Sequence, residues 1–265
     1  MMTPSSSVYI PFLLCFLFLG LLGGSRPAMA IVNVEDMMIN EPEPGVSGQV
    51  DASVNGTSGN SNTVQASGGA RVQWQHGAYT DIGMVNYAYG KSQGRSNVNQ
   101  GFAHLRHRLH LSRQWGVEVF LQAQKNDFTR LLFRGLAGGG LRWRIGGKSQ
   151  RVAVYTGAGA MYAVERYKAQ AGTNDARSTN TIRGNFYLVL KYRLNDHVRF
   201  LSTTYYQPRF SYPADFRMLE DAAMNVNLIK SLDFRTTLQV QHNNRPPQGI
   251  KRTNLIYASG IEYHF

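Results

Sequence analysis

From residue 46 to the C-terminus, apolar and polar side chains change places at almost every step. In GVSGQVDASVNG, Val46, Gly48, Val50, Ala52 and Val54 share one face, against Ser47, Gln49, Asp51, Ser53 and Asn55. In TVQASGGARVQWQ, Val64, Ala66, Gly68, Ala70, Val72 and Trp74 oppose Thr63, Gln65, Ser67, Gly69, Arg71 and Gln73. Successive side chains of a strand point to opposite faces, so a period of two predicts strands. Further strands are predicted near 79–90, 98–111, 116–126, 131–145, 151–165, 179–194, 198–207, 218–230, 234–243 and 253–265, about twelve in all. In the last of them Leu255, Tyr257, Ile261, Tyr263 and Phe265 lie on one face, interrupted only by Ser259.

The charged residues sort with the polar face. His104, Arg106, Arg108 and His110 oppose Ala103, Leu105, Leu109 and Leu111; Arg134, Arg142 and Arg144 oppose Phe133, Leu141, Trp143 and Ile145. Arg183, Lys191 and Arg193 oppose Ile182, Phe186, Leu188, Leu190, Tyr192 and Leu194, and Arg199, Arg235, Gln239 and Gln241 continue the polar set. Alternation alone fits either a soluble barrel with an apolar inside or a membrane barrel with an apolar outside. Each segment reaches the roughly 9–11 residues that a tilted strand needs to cross a bilayer. A Lys or Arg facing lipid at mid-depth costs about 2–4 kcal/mol. An all-β, single antiparallel up-and-down transmembrane β-barrel is therefore expected, apolar outside and polar within. The expected lumen set is His104, Arg106, Arg108, His110, Glu118, Arg134, Arg142, Arg144, Arg183, Lys191, Arg193, Arg199, Arg235 and Glu262.

Some positions break the pattern. His107 falls between Leu105 and Leu109 on the apolar face. Segment 79–90 has tyrosines on one face and Ile82 and Met84 on the other, which leaves its orientation open. Segment 151–165 is apolar on both faces until Glu165.

The connections also alternate. After even-numbered strands they are short: HGA, SRQW, GGKSQ, NDH and SLD. After odd-numbered strands most are longer: KSQGRSN, YKAQAGTNDARS, PRFSYPADFR and NNRPPQGIK. Short turns on one rim and long loops on the other are the habit of outer-membrane barrels.

The N-terminus places the chain outside the cytoplasm. PFLLCFLFLGLLGG has the length of a secretory apolar region, and SRPAMA supplies an A-x-A cleavage signature ending at Ala30. A signal anchor is the alternative, since MMTPSSSVYI contains no Lys or Arg. The expected organisation is a signal peptide at 1–30, a periplasmic lead-in at 31–45 and a barrel at 46–265. Cys15 is the one cysteine, so the exported part has neither a disulfide framework nor a thiol nucleophile. The formal net charge of +12 falls by one when Arg26 leaves. Export argues against nucleic acid as the partner of that charge and favours lipid headgroup phosphates or an aqueous cavity. The 27 glycines and 14 tyrosines suit strands and tight turns.

GVSGQVDASVNGTSGNSNTVQASGGARVQW, with Ser58, Gly59 and Asn60 at its turn, resembles the opening of the salt-induced outer-membrane protein family, a family of unknown function. VFLQAQKNDFTRLLFRGLAGGGLRWRI is similar to that family's middle stretch, and IVNVED to the mature start of some members. The resemblance implies a small barrel in the outer membrane of a Gram-negative bacterium, lends no activity, and carries in its name a link to salt stress. Tyr263 and Phe265 resemble the terminal signature read by the barrel-assembly machinery.

Candidate chemistry is sparse. His104 and His110 share a face but stand six residues apart, roughly 20 Å along a strand, too far for one metal ion. No metal or cofactor is expected. GLAGGGLRW lacks the Lys-Ser/Thr of a phosphate loop, and its glycines suit close strand packing or curvature. No histidine lies in a hydrolase motif, and Ser112 sits beside a predicted turn, so an enzyme is not the expected reading; an outer-membrane lipid hydrolase assembled across strands is an alternative. The leading expectation is a passive pore with an anion-favouring lumen, or a structural envelope protein. In the alternative, a closed barrel serves as scaffold or adhesin, with Arg106, Arg142 and Arg183 paired to Glu118 or Glu262. Expected partners are outer-membrane lipid, lipopolysaccharide phosphates near Lys91, Arg95, Arg166, Lys168, Arg177, Arg209, Lys251 and Arg252, the assembly machinery, and small anionic solutes.

Overall fold

The computed structural model describes residues 44–57, 62–145 and 151–263. The signal peptide, the lead-in before residue 44, the turn Ser58-Gly59-Asn60 and Phe265 lie outside them. Twelve strands follow in order: β1 Gly45–Thr57, β2 Thr63–His76, β3 Tyr79–Ser92, β4 Arg95–His110, β5 Trp115–Asn126, β6 Leu131–Ile145, β7 Val152–Tyr167, β8 Arg177–Arg193, β9 Val198–Arg209, β10 Tyr212–Ile229, β11 Leu232–Asn243 and β12 Thr253–Tyr263. Each pairs antiparallel with the next in one meander, and β12 returns beside β1, so the sheet curls into a near-closed barrel. Among the described residues no ladder joins β1 to β12.

Strand length is set by how far the alternation runs, from 11 residues in β12 to 18 in β10. Two expected long loops are strand instead. β3 and β4 extend to Ser92 and Arg95 and meet at Gln93 and Gly94, whose φ angles of 50° and 74° make the mirror-image turn that suits a twisted hairpin. Likewise β9 and β10 meet at Phe210 and Ser211, and a register shift between Tyr212 and Phe216 absorbs the irregular segment. The connections 168–176 and 244–252 stay long. Both lie at the same end of the barrel, the long-loop end; the opposite rim is the short-turn end.

The alternation sets two surfaces of opposite character. Most outward positions are apolar and open, with Leu105 at 62% and Leu121 at 58% exposure, while the inward Arg108 is at 1%; Glu220, held by Ser202 and Thr204, is an outward exception. Aromatic residues gather toward the rims, and Trp115 and Trp143 stack with ring centres 5.5 Å apart on the outer wall at the short-turn end. The open question of β3 resolves: Tyr79, Val85, Tyr87 and Tyr89 face out, and Thr80, Ile82 and Ala88 face in and are buried. β7 turns Met161, Ala163, Glu165 and Tyr167 inward. Part of the interior is an apolar core: Tyr187, Val189, Leu201, Tyr205, Leu219 and Ala223 form one cluster, and Phe120, Leu136, Met161 and Ala163 another.

Candidate functional site

The candidate site is the charged interior, which forms two networks at different depths. Toward the short-turn end, Glu118 on β5 is the hub. Arg108 on β4 donates to its Oε2 from Nη2 at 2.8 Å and from Nε at 3.1 Å, and Arg106 Nη1 approaches the same oxygen at 3.3 Å. From β8, Tyr187 reaches across two intervening strands and donates its hydroxyl to Oε1 at 2.8 Å. Arg142 on β6 donates to the Tyr187 hydroxyl at 3.2 Å, with its guanidinium 4.1 Å from the Tyr155 ring centre. All five of Arg106, Arg108, Glu118, Arg142 and Tyr187 are buried.

Room for that chord comes from glycine. A Cβ added at Gly157, inward on β7, would overlap the Tyr187 ring. The Gly-rich run of β6 packs just as closely: a Cβ at Gly140 would stand 2.6 Å from the Ala158 carbonyl oxygen. The expectation that these glycines relieve crowding is thus met by specific neighbours.

Toward the long-loop end the hub is Glu165. Arg134 Nε donates to Oε1 at 2.6 Å, Arg217 Nη2 to Oε2 at 2.9 Å, and the Tyr167 hydroxyl to Oε2 at 3.1 Å. Arg217 belongs to β10, so its contact with β7 crosses the interior rather than following the wall. Beside it, Arg183 Nη2 donates to Asp215 Oδ1 at 2.8 Å, and its Nη1 to the Gln207 carbonyl at 3.3 Å. Nearer the short-turn rim Arg199 pairs with Asp233, which also accepts from Asn227 at 2.7 Å, and Arg235 donates to Asn225 at 2.9 Å. Gln239 donates to Asp221 at 2.6 Å.

Of the expected lumen set, His104, Arg106, Arg108, Glu118, Arg134, Arg142 and Arg183 face inward and are buried. His104 bonds Gln122 at 3.1 Å and His110 bonds Thr80 at 2.7 Å. Arg144 and Lys191 sit over the Tyr155 ring, and Arg199 and Arg235 hold the partners given above. Arg193 is exposed at the short-turn rim. The backbones of Glu262 and Tyr263 lie in β12; their side chains lie outside the described residues. Of the expected pairings, Arg106 meets Glu118 directly, Arg142 is linked to Glu118 by way of the Tyr187 hydroxyl, and Arg183 pairs with Asp215, an acid outside the expected set.

Sequence reasoning did not find Asp215, Arg217, Asp221, Asp233 or the roles of Glu165 and Tyr187. Asp215 and Arg217 were hidden in a segment expected to be loop. Glu165 was signalled, as the one acid ending an otherwise apolar segment. Tyr187 shares parity with Arg183 and Lys191, which was enough to place it inside. Ser112 is a turn former: its Oγ accepts from the backbone N–H groups of Gln114 and Trp115 at 3.2 and 3.1 Å. Among the described residues no group of three or more His, Cys, Asp or Glu side chains is arranged to hold a metal ion. His107 does face outward as its parity demands, and there it bonds Asp81.

Comparison with solved structures finds similar strand arrangements at very low identity. The NanC porin aligns with a TM-score of 0.46 and 10% identity over 82% of this chain and 98% of that one. The KdgM porin aligns at 0.45 and 8% over 83% and 99%. The translocator domain of the autotransporter NalP from Neisseria meningitidis aligns at 0.48 and 11% over 88% and 92%. Comparison with curated protein sequences returns no match. A family profile does match, over residues 50–265 and so over nearly the whole barrel. The chain belongs to the family described as "Protein of unknown function, DUF481".

Proposed function

We propose that this protein is a β-barrel of the Gram-negative outer membrane whose interior is braced by its own ion pairs, and that it serves as a structural envelope protein rather than an anion pore. The membrane reading is supported by the apolar outer wall, the aromatic residues near its rims and strands long enough to cross the hydrocarbon layer. The start of β1 and the end of β12 then lie on the periplasmic side, at the short-turn end. The exposed Arg166, Lys168, Lys251 and Arg252 at the long-loop end face the outer leaflet, where lipopolysaccharide phosphates are the fitting counter-charge.

One observation carries the closed reading. Glu118 holds Arg106 and Arg108 of β4, Glu165 holds Arg134 of β6 and Arg217 of β10, and these arginines and Arg142 are buried against the two carboxylates and their tyrosine partners. An anion pore needs cationic heads presented to water along its length. Here most of the arginine heads lie in direct contact with carboxylate or phenol oxygens. A second reading has its own support. Along β2 and β12 the inward Gln65, Ser67, Gly69 and Asn254 remain half-exposed, as a narrow uncharged polar strip would. It favours a narrow passage of weak ion selectivity.

Planar-bilayer recording of the folded barrel separates the two. The braced-barrel reading expects no stepwise conductance. Small, weakly selective steps support the second reading, and large anion-selective steps overturn both.

A further inference from the structure

On the outer wall near the short-turn rim, the mostly apolar surface carries a polar group with no part in the interior networks. Asp81 on β3 accepts from His76 Nε2 at 2.8 Å with one carboxylate oxygen and from His107 Nδ1 at 2.7 Å with the other. Tyr79 stacks between the two imidazoles, at ring distances of 5.6 and 5.3 Å, and Trp74 lies 4.0 Å from the His76 ring. Above this group runs an apolar trough of about 630 Å³, lined at one end by Trp74, Asp81 and His107. The strand register explains it. Val72, Gly83, Leu105, Leu121 and Ala137 are successive cross-strand partners, forming one row across five strands. Gly83 and Ala137 leave that row low between taller side chains. The next row toward the rim is Trp74, Asp81, His107 and Val119.

The hydrogen-bond roles decide what such a group binds. A carboxylate only accepts, so His76 Nε2 and His107 Nδ1 carry the protons. Asp81 therefore brings a carboxylate to the outer wall of a chain whose formal net charge is +12. The indole face of Trp74 adds attraction for a cation. The ring nitrogens nearest the carboxylate hold protons, so they are not metal ligands.

We propose that this face binds a phospholipid with a primary ammonium headgroup, the ammonium set against Asp81 and His107 and an acyl chain lying in the trough. The inference rests on the membrane-spanning reading above, since only that reading puts this wall in a leaflet. An ammonium brings three N–H donors and a positive charge to the Asp81 carboxylate. A trimethylammonium headgroup brings the charge without the donors, and a glycerol headgroup brings no cation.

The test uses the full barrel folded in detergent, offered lipids of one acyl composition with phosphoethanolamine, phosphocholine or phosphoglycerol headgroups, with bound lipid counted by native mass spectrometry. The ethanolamine lipid is expected to be retained about tenfold over the other two, the scale of one charge-assisted pair. Asp81→Asn abolishes the preference. Gly83→Leu fills the trough and lowers retention; a Cβ there meets only Leu105, at 3.6 Å, so the fold tolerates the change. Glu220→Gln, on the outer wall away from the trough, leaves the preference unchanged. Equal retention of the three lipids, an Asp81→Asn protein with intact preference, or stoichiometric zinc held by lipid-free protein overturns the site. Circular dichroism and heat-dependent gel mobility of the same samples show whether the barrel is folded. Protein that stays folded and dispersed without detergent overturns the membrane reading itself.

Discussion

Arg217 and Glu165 meet across the barrel interior, Nη2 to Oε2 at 2.9 Å, although their strands are separated along the wall by β8 and β9. Arg134 reaches the same carboxylate from the adjoining β6 at 2.6 Å. A single carboxylate thus holds two guanidiniums in a region nearly closed to water. The net worth of such an assembly against an apolar filling is small, because desolvation offsets most of the attraction. Removing the one anion is a different matter, since it leaves cations facing each other. Glu165→Gln is expected to lower stability by about 3–5 kcal/mol, measured by urea unfolding in lipid vesicles. It is also expected to open the interior to anions, seen as new anion-selective steps in bilayer recordings. A silent, equally stable Glu165→Gln barrel would show that the pair does not brace the wall.

The chord from Tyr187 to Glu118 gives a second, graded test. Tyr187→Phe keeps the ring in its apolar cluster and removes the hydroxyl that donates to Glu118 and accepts from Arg142; loss of the bond to the carboxylate alone is expected to cost about 1.5–3 kcal/mol. Gly157→Val acts through shape: the added side chain occupies the place of the Tyr187 ring, which must leave both Glu118 and the cluster. Its cost should exceed that of Tyr187→Phe, and combining the two should cost less than their sum because both disturb one contact. Additive effects in a double-mutant cycle would refute the shared cause.

Outside the wall, Asp175 organises the β7–β8 connection. It accepts from the Gln170 backbone N–H at 2.5 Å and the Thr173 hydroxyl at 2.7 Å, and pairs with Arg130 at 2.8 Å. These bonds, the Gln170 amide foremost, hold its carboxyl down from 3.8 to about 2. A depressed carboxyl contributes stability that is complete above its unfolded value and disappears as pH falls through the folded one. The connection should therefore hold above pH 4 and loosen progressively toward about pH 2. Amide resonances of Gln170 and Thr173 in a detergent-solubilised sample report it, and Asp175→Asn should remove the pH dependence. A midpoint at the ordinary carboxyl value would mean the three contacts do not form.

Most of the wall was legible because one rule, alternation, acts locally and repeats in every strand. Val46 to Val54 and Val64 to Trp74 need no tertiary information to be placed outside. What failed was local geometry and long-range pairing. Gln93 and Gly94 turn in two residues, and the Tyr212–Phe216 bulge hides strand inside an irregular segment, so Asp215 and Arg217 went unplaced. Which acid meets which arginine depends on curvature that brings β7 to β10, and no spacing along the chain encodes it. Asp81 and His107 look like errors when read one strand at a time. Read together they are cross-strand partners, each excusing the other's polarity on an apolar face.

The sidedness of the wall permits the most direct prediction. Leu121 is central in β5, 58% exposed, and paired in register with Leu105 on one side and Ala137 on the other, all facing out. If hydrocarbon covers this row, Leu121→Arg places a guanidinium in lipid and costs about 2–4 kcal/mol, while the same change nearer a rim, as at Leu111, costs about 0–1 kcal/mol. In a soluble barrel both positions would face water and both substitutions would be nearly neutral. Unfolding free energies in vesicles of fixed thickness distinguish the cases, and the ratio of the two costs is the informative quantity because a general weakening of the fold would affect both. Equal, small costs at Leu121 and Leu111 would remove lipid from the outer face and leave the arginine-filled interior without its explanation.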